Sequence, residues 1–547
     1  MRPARFCAGY SIPASSDILL SNGHSMTAHW VSTIKQIAVV PLLMALCFVQ
    51  ELSSQAQQEP VSTLHSASRL AVLDVVVLDA SGKPVRDLTR NDFTILEDGQ
   101  RQNIASFERP EDHKYMVSTD DKPGSHQSQS VSPALTILVI DGLNTPLLDL
   151  IYAREAVAKF LRSQGAALPQ PTALMRVTDT QLELLHDYTQ DASTLLEALK
   201  RHPLELPARS AADSTAVGEG DRLLDSLACL EKIAAANANF AGRKNVIWIG
   251  VGFNALNGRT RPGNEIVMSR VANEMRSARL AVYTIDPRGL QVISPGVSAY
   301  ASDPRGGLQA ASASAMEDPS GLRFFENIAR ETGGRMIFNR NDVDVAVADS
   351  VNDGATYYTL SYYPANHDWN GKFRRIRVVL SKPGLEARTR AGYFAVPDAL
   401  ETDTTIDSVL ASAVRNPLPY RGLGVSVSFK ALPGSPGMAR FAVAVDRHDL
   451  GWETSPNGDH HCQIMLVAMS VSRKERVVKN DVKEMEAIVR AGKFEAQMGQ
   501  PMVFSFTGEL PPDAARLRVV VRDSRNGRIG TVDIGVDEPA SANVKAN

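Results

Sequence analysis

The sequence predicts a chain that is α/β plus all-β. A doubly wound α/β domain occupies the middle, with a β-rich unit before it and a β-sandwich after it. Three observations carry this expectation. The chain has 547 residues, more than one hydrophobic core organises. Its middle alternates continuous apolar runs of strand length with segments whose apolar residues recur every three or four positions, the rhythm of helices crossing over a parallel sheet. Its flanks alternate apolar and polar residues between Gly, Pro, Asn and Asp punctuation, which is antiparallel patterning.

Composition narrows the function classes. Hydrophobic residues make up 44% and charged residues 22%, as in ordinary globular proteins. The formal net charge of -3 argues against a nucleic-acid partner or an anionic membrane surface.

Residues 1–56 read as a dispensable N-terminus and signal peptide, with Met26 a second candidate start. The apolar run "IAVVPLLMALCFV" (Ile37–Val49) follows Lys35, and small residues Ser54 and Ala56 lie at a plausible cleavage site. The run is shorter than the ~20 residues a spanning helix needs. A retained anchor is the alternative. Bulky Leu46 before Cys47 argues against lipidation there. The expected localisation is export to the periplasm, the cell envelope or the extracellular space, with no membrane span after cleavage. Cleavage leaves two cysteines, Cys229 and Cys462, which is no disulfide framework.

Residues 62–110 form the β-rich unit, with alternating aliphatics broken by the turn sequences "SGKP" and "EDGQ". The α/β domain spans 133–354 and carries long loops. "ALTILVID" is its first strand. Leu147, Leu150, Ile151, Ala153, Val157, Phe160 and Leu161 then mark an amphipathic helix. "TALMRVT", "QLELLHDY", "KNVIWIGVG", "RLAVYTID" and "RMIF" are further strands, separated by the helices "DRLLDSLACLEKIAAANA", "EIVMSRVANEMRSA" and "GLRFFENIARETGG". Gln291 to Ser320 is rich in Ser, Ala, Gly and Pro and reads as an insertion loop.

Residues 355–396 return to strands that pack with 62–110. The tyrosines 357, 358, 362 and 363 fit core and cross-strand packing, and Arg374, Arg375 and Arg377 fit a solvated strand face. Residues 417–538 form the β-sandwich, ending in a hairpin through Asn526-Gly527.

The stretches "LDVVVLDASGKPVRDLTRNDFTILEDG", "VIDGLNTP", "GRKNVIWI", "AVYTIDPRG", "ETGG" and "YYTLSYYPANHDWNGKFRRIRV", ending in "RAGYF", together resemble the acidobacterial VWFA-related domain family. These are secreted bacterial proteins with a von Willebrand factor A (vWA)-like, Rossmann-like domain. The resemblance spans Arg69 to Phe394 and implies a fold more than a biochemistry.

A vWA domain holds its metal through D-x-S-x-S after the first strand, with a threonine and a second aspartate from later loops. Mg²⁺ suits such an oxygen octahedron. Carried over to this chain, Asp141 matches the first position and Thr145 keeps a hydroxyl at the last. Leu143 stands in place of the first serine, and Val251 where the later aspartate belongs. Ser214 or Thr215 is the candidate loop hydroxyl. Two oxygen ligands of about five are therefore clear, so the expectation is a degenerate site and no cofactor. The alternative for the same residues is architectural. Thr145 reads as a helix N-cap, Pro146 as the first helical residue and Asn144 as a turn residue on the binding surface.

Other motifs add little. Neighbouring residues of "DHHC" (Asp459–Cys462) point to opposite faces of a strand and cannot share a metal. Asp286 in "TIDPRG" reads as a turn residue. No nucleophile–base pair, P-loop or dinucleotide fingerprint is present, so no catalytic residue is expected. The expected function is binding of an unknown protein or cell-surface partner. An extracellular or periplasmic hydrolase and a structural envelope protein are the alternatives.

Overall fold

The computed structural model describes residues 70–113, 134–165, 167–178, 181–203, 216–240, 242–251, 264–290, 322–395, 403–474 and 476–536. The signal-peptide reading, the loop from Gln291 to Ser320, and the candidate hydroxyls of Ser214 and Thr215 lie outside them.

Strands β1 (Ala71–Leu78), β2 (Phe93–Glu97), β3 (Gln100–Gln102) and β4 (Ile104–Glu108) come first. Asp98 and Gly99 connect β2 to β3, both at positive φ. That backbone is what a two-residue hairpin needs to match the right-handed strand twist.

The next segment contains β5 (Leu135–Asp141), α1 (Leu147–Ser163), β6 (Ala167–Val177), β7 (Leu182–Asp191), α2 (Ala192–Arg201), α3 (Ala216–Asn237), β8 (Lys244–Ile249), α4 (Asn264–Ser277), β9 (Leu280–Ile285), α5 (Leu322–Thr332), β10 (Met336–Ile337) and α6 (Val343–Ala355). The strands form one sheet in the order β10-β9-β8-β5-β6-β7. All pairs are parallel except the edge strand β7, which runs antiparallel to β6. Alternate side chains face opposite layers. Ile137, Val139, Val246, Trp248 and Val282 pack with α3, α4 and α5, whereas Leu138, Ile140, Ile247, Ile249 and Tyr283 pack with α1, α2 and α6. Helices on both faces are why these strands read as continuous apolar runs. Neither α2 nor α6 is among the helices expected from the sequence. Asp191 caps α2 by accepting the Ser193 N–H at 2.9 Å.

Strands β11 (Tyr358–Tyr362), β12 (Phe373–Leu380), β13 (Glu386–Arg388) and β14 (Gly392–Phe394) follow. They pair with the first segment. β11 lies between β1 and β4, with Leu73 opposite Leu360, and β12 pairs with β2, with Ile376 opposite Glu97. The α/β sheet therefore lies in the chain between two segments that hydrogen-bond to each other. Tyr358 and Tyr362 are buried in the shared core and Tyr363 is exposed.

One expectation fails here. Arg375 and Arg377 are exposed, but Arg374 is buried. Its guanidinium meets buried Glu97 at 3.2 Å and the main-chain oxygens of Asn366 and Asp368 at 2.6 Å each. A strand exposes every second residue, so one member of the arginine run had to face the opposite side from its neighbour.

The last part contains α7 (Asp403–Arg415), then β15 (Val425–Ala431), β16 (Met438–Val445), β17 (Glu453–Thr454), β18 (His460–Ser472), β19 (Val477–Val489), β20 (Met502–Glu509), β21 (Ala514–Asp523) and β22 (Ile529–Gly535). Two antiparallel sheets, β15-β16-β20 and β17-β18-β21-β22 with β19 beside β18, contribute to one apolar cluster. Helix α7 is likewise not among the expected elements. Its Leu410 and Ala413 are buried in the cluster that contains α3 and α4 residues and also Val467, Val520 and Ile529 of the C-terminal strands. This helix joins the α/β core to the β-rich region.

Candidate functional site

β5 ends on Asp141, at the carboxyl edge of the parallel sheet and next to β8. Open α/β sheets bind ligands at such edges. Asp141 is fully buried. Its Oδ1 accepts the backbone N–H groups of Leu143 and Asn144, each at 3.0 Å. Its Oδ2 accepts the Asn144 amide at 2.9 Å and the Trp248 indole N–H at 3.0 Å. Burial pushes the Asp141 carboxyl above its ordinary range; the hydrogen bonds from Asn144, Trp248 and Leu143 pull the other way without cancelling it.

Asn144 is half-buried, and its amide also reaches Ser226 Oγ on α3 at 3.0 Å. That amide faces inward rather than toward a partner. Buried Leu143 adds to the apolar layer on the α3 side. Thr145 is buried, and its hydroxyl accepts the Val251 N–H at 3.2 Å where the chain leaves β8. It is therefore not the N-cap that the sequence suggested. Helix α1 begins at Leu147, with Pro146 in the capping position and no side-chain cap. Thr145 instead ties the β5 exit to the β8 exit. Gly250 makes this approach possible, because a Cβ there would lie 2.6 Å from Asp141 Cβ and 3.0 Å from Thr145 Oγ1.

The arrangement has a chemical consequence. A cation bound to Asp141 would meet N–H hydrogens carrying positive partial charge on both carboxylate oxygens. It would have to displace the indole of Trp248 or the amide of Asn144, and a displaced buried donor costs ~1–3 kcal/mol. Val251 and Leu143 supply no compensating side-chain oxygen. Among the described residues, no three His, Cys, Asp or Glu side chains gather as a metal cluster. Trp248 and Ser226 were not anticipated. The available signal was the tryptophan itself, since a buried indole N–H ordinarily requires an acceptor.

Asp286 follows β9, two strands from Asp141 in the sheet. It is held by its own neighbour, accepting from the Arg288 backbone at 3.0 Å and from Nη2 at 2.6 Å. Exposed apolar side chains lie on the segments that reach this edge, beside the charged Arg288, Arg340 and Asp342. Leu148 is 80% exposed, Leu290 61% and Phe338 55%, and Ile151 and Tyr152 are also exposed. Asn341 gathers part of this set: its carbonyl accepts the Tyr152 hydroxyl, and its Oδ1 accepts the Leu290 N–H at 2.9 Å.

The remaining motif residues are structural. His460 opens β18 and stacks on Phe494 with ring centroids 3.7 Å apart, whereas Cys462 is buried. Cys229 and Cys462 are both free, and burial pushes each thiol up to about 12.

No family model and no curated protein matches the chain. Among solved structures it is similar to the SpRpn10 VWA domain, at 15% identity over 40% of this chain and 96% of that one, with a TM-score of 0.24. It is also similar to a variant of the PilB minor pilin from Streptococcus sanguinis, at 11% identity over 43% of this chain and 62% of the pilin, with a TM-score of 0.23. A Bacteroides uniformis beta-glucuronidase matches at 11% identity over 32% of this chain and 18% of the enzyme, with a TM-score of 0.12. The chain thus spans nearly all of the first, under two thirds of the second and under a fifth of the third.

Proposed function

We propose that this chain is an exported, vWA-like binding protein of the acidobacterial VWFA-related kind. It engages a protein or cell-surface partner through the carboxyl edge of its α/β sheet, without a metal ion and without catalysis. Residues 417–538, with strands β15 to β22, serve as a β-sandwich supporting that domain. The observation that carries the reading is the exposed apolar group of Leu148, Ile151, Tyr152, Leu290 and Phe338 at that edge. Large apolar side chains gathered at a sheet edge mark an interaction surface better than scattered ones do. The closed hydrogen-bond shell of Asp141 supports the absence of a metal requirement. Capture from a cell-envelope extract tests the proposal, using wild type, Leu148→Asp with Phe338→Asp, and wild type with a chelator. One discrete partner retained under chelation and lost in the double variant is expected. No specific partner, together with turnover on a panel of extracellular polymers, would defeat it.

A further inference from the structure

At the opposite, amino edge of the parallel sheet, the chain entering β8 and β9 meets the first and third strand segments. Here Arg243, Arg276, Arg279 and Arg390 line one small cavity of about 20 Å³, together with Asp74, Val72, Leu280 and Thr332. Four guanidiniums face two carboxylates. Asp74 is taken by Arg279, at 3.1 Å to Nε and in a second contact to Nη2. Glu331, more exposed, pairs with Arg276 Nη1 at 2.6 Å. Arg243 has only neutral partners among its described hydrogen bonds: Asn245 Oδ1 at 2.9 Å, with the Tyr283 hydroxyl and the Gly333 carbonyl at 3.3 Å each. Buried Lys244 adjoins this group, and desolvation pushes its ammonium down to about 7.

The hydrogen-bond deficit is specific. The Arg276 side chain is only 1% exposed, yet among the described residues its Nε and Nη2 are buried with no hydrogen-bond acceptor, as is Nε of Arg390. The rings of Phe373 and Phe394, each 5.5 Å from the Arg276 guanidinium carbon, offset part of its desolvation. They provide no lone pair for those N–H groups. A buried donor left unmade costs ~1–3 kcal/mol, more for a charged one. Burial lowers the proton affinity of both Arg276 and Arg390, the expected response to positive charge gathered away from water.

We propose that this cavity is a binding site for a single monatomic anion, chloride in particular, held by the free N–H groups of Arg276 and Arg390 within the field of Arg243 and Arg279. Volume sets the class, because a cavity needs ~10–15 Å³ to hold one water-sized body. The space suits a small ion such as a halide. Charge sets the sign: four cations against two carboxylates leave an excess of two. The ion would tie the paired strand segments that precede and follow the α/β domain in the chain to that domain, since Arg390 and Asp74 come from them and the other three arginines come from the sheet domain.

The test is thermal unfolding of the full chain at constant ionic strength while sodium methanesulfonate is replaced stepwise by sodium chloride or bromide. A saturable rise of Tm of several degrees is expected in either halide, as for any ligand that binds only the folded state. The rise should be lost in Arg276→Gln and weakened in Arg390→Gln. Bromide-soaked crystals of wild type decide the matter even if the variants do not fold, with one anomalous peak expected between Arg276 and Arg390. A Tm indifferent to halide, or a seam without bromide, would mean that the cavity holds only water and would overturn the proposal.

Discussion

The two edges of the parallel sheet solve opposite problems of buried charge. At the carboxyl edge one carboxylate, Asp141, is surrounded by N–H donors from Leu143, Asn144 and Trp248. At the amino edge several guanidiniums surround one buried carboxylate, Asp74, and some of their N–H groups have no acceptor among the described residues. The difference teaches that residue type alone does not define a site. An aspartate at a sheet edge invites a cation only while its oxygens are free. Here they are occupied by the protein, whereas the vacant hydrogen-bonding capacity lies at the far edge and favours an anion.

The amino edge should be the more fragile. Asp74→Asn removes the carboxylate that neutralises Arg279 inside the protein. Breaking a buried pair from one side is expected to cost ~3–5 kcal/mol in chemical denaturation. At the carboxyl edge, Trp248→Phe keeps an aromatic ring but removes one donor to Asp141. A smaller loss of ~1–3 kcal/mol is expected. A larger loss for Trp248→Phe than for Asp74→Asn would reverse the comparison.

The edges should also differ in sign with pH. Burial raises the Asp141 carboxyl above its ordinary value of 3.8, so the folded state takes up its proton first on acidification. The Asp141 contribution to stability is then fully present below 3.8 and is lost as pH rises through the elevated folded value. For Asp74, burial pulls upward, but Arg279 together with Arg243 and Arg390 outweighs it and the carboxyl falls below 3.8. Its contribution is present above 3.8 and is lost as pH falls through the depressed folded value. Urea denaturation of wild type, Asp141→Asn and Asp74→Asn between pH 3 and 6 should give difference curves of opposite slope. Equal slopes would show that the two carboxylates experience similar environments.

The smallest stability effect belongs to the surface. Leu148→Asp should change stability by no more than about 0.5 kcal/mol, because the side chain is 80% exposed. Partner capture should nonetheless fall. A large thermal shift without loss of capture would assign Leu148 to packing.

The sequence showed most plainly those features that depend on local pattern. The apolar runs of β5, β8 and β9, the Asp98-Gly99 turn and the position of Asp141 at a strand end could all be read from neighbours in the chain. Helix α7 is equally local in its pattern, with Ile406, Val409, Leu410, Ala413 and Val414 at helical spacing. What could not be read depends on distant partners. Trp248 reaches Asp141 across 107 positions, and Arg374 meets Glu97 across 277. The arginines at the amino edge are spread from Arg243 to Arg390 and share no motif. Thr145 illustrates the same limit, because a hydroxyl before a proline suits a helix cap equally well as a bond to the strand next door.

Calorimetric titration of the protein with Mg²⁺ and Mn²⁺, beside the Asp141→Ala variant, tests the central claim most directly. If the N–H groups of Asn144 and Trp248 occupy the place of a cation, neither metal will give saturable heat at submillimolar concentration, and the two proteins will behave alike. Submillimolar binding by wild type that disappears in Asp141→Ala would contradict the account and make the carboxyl edge a working metal site.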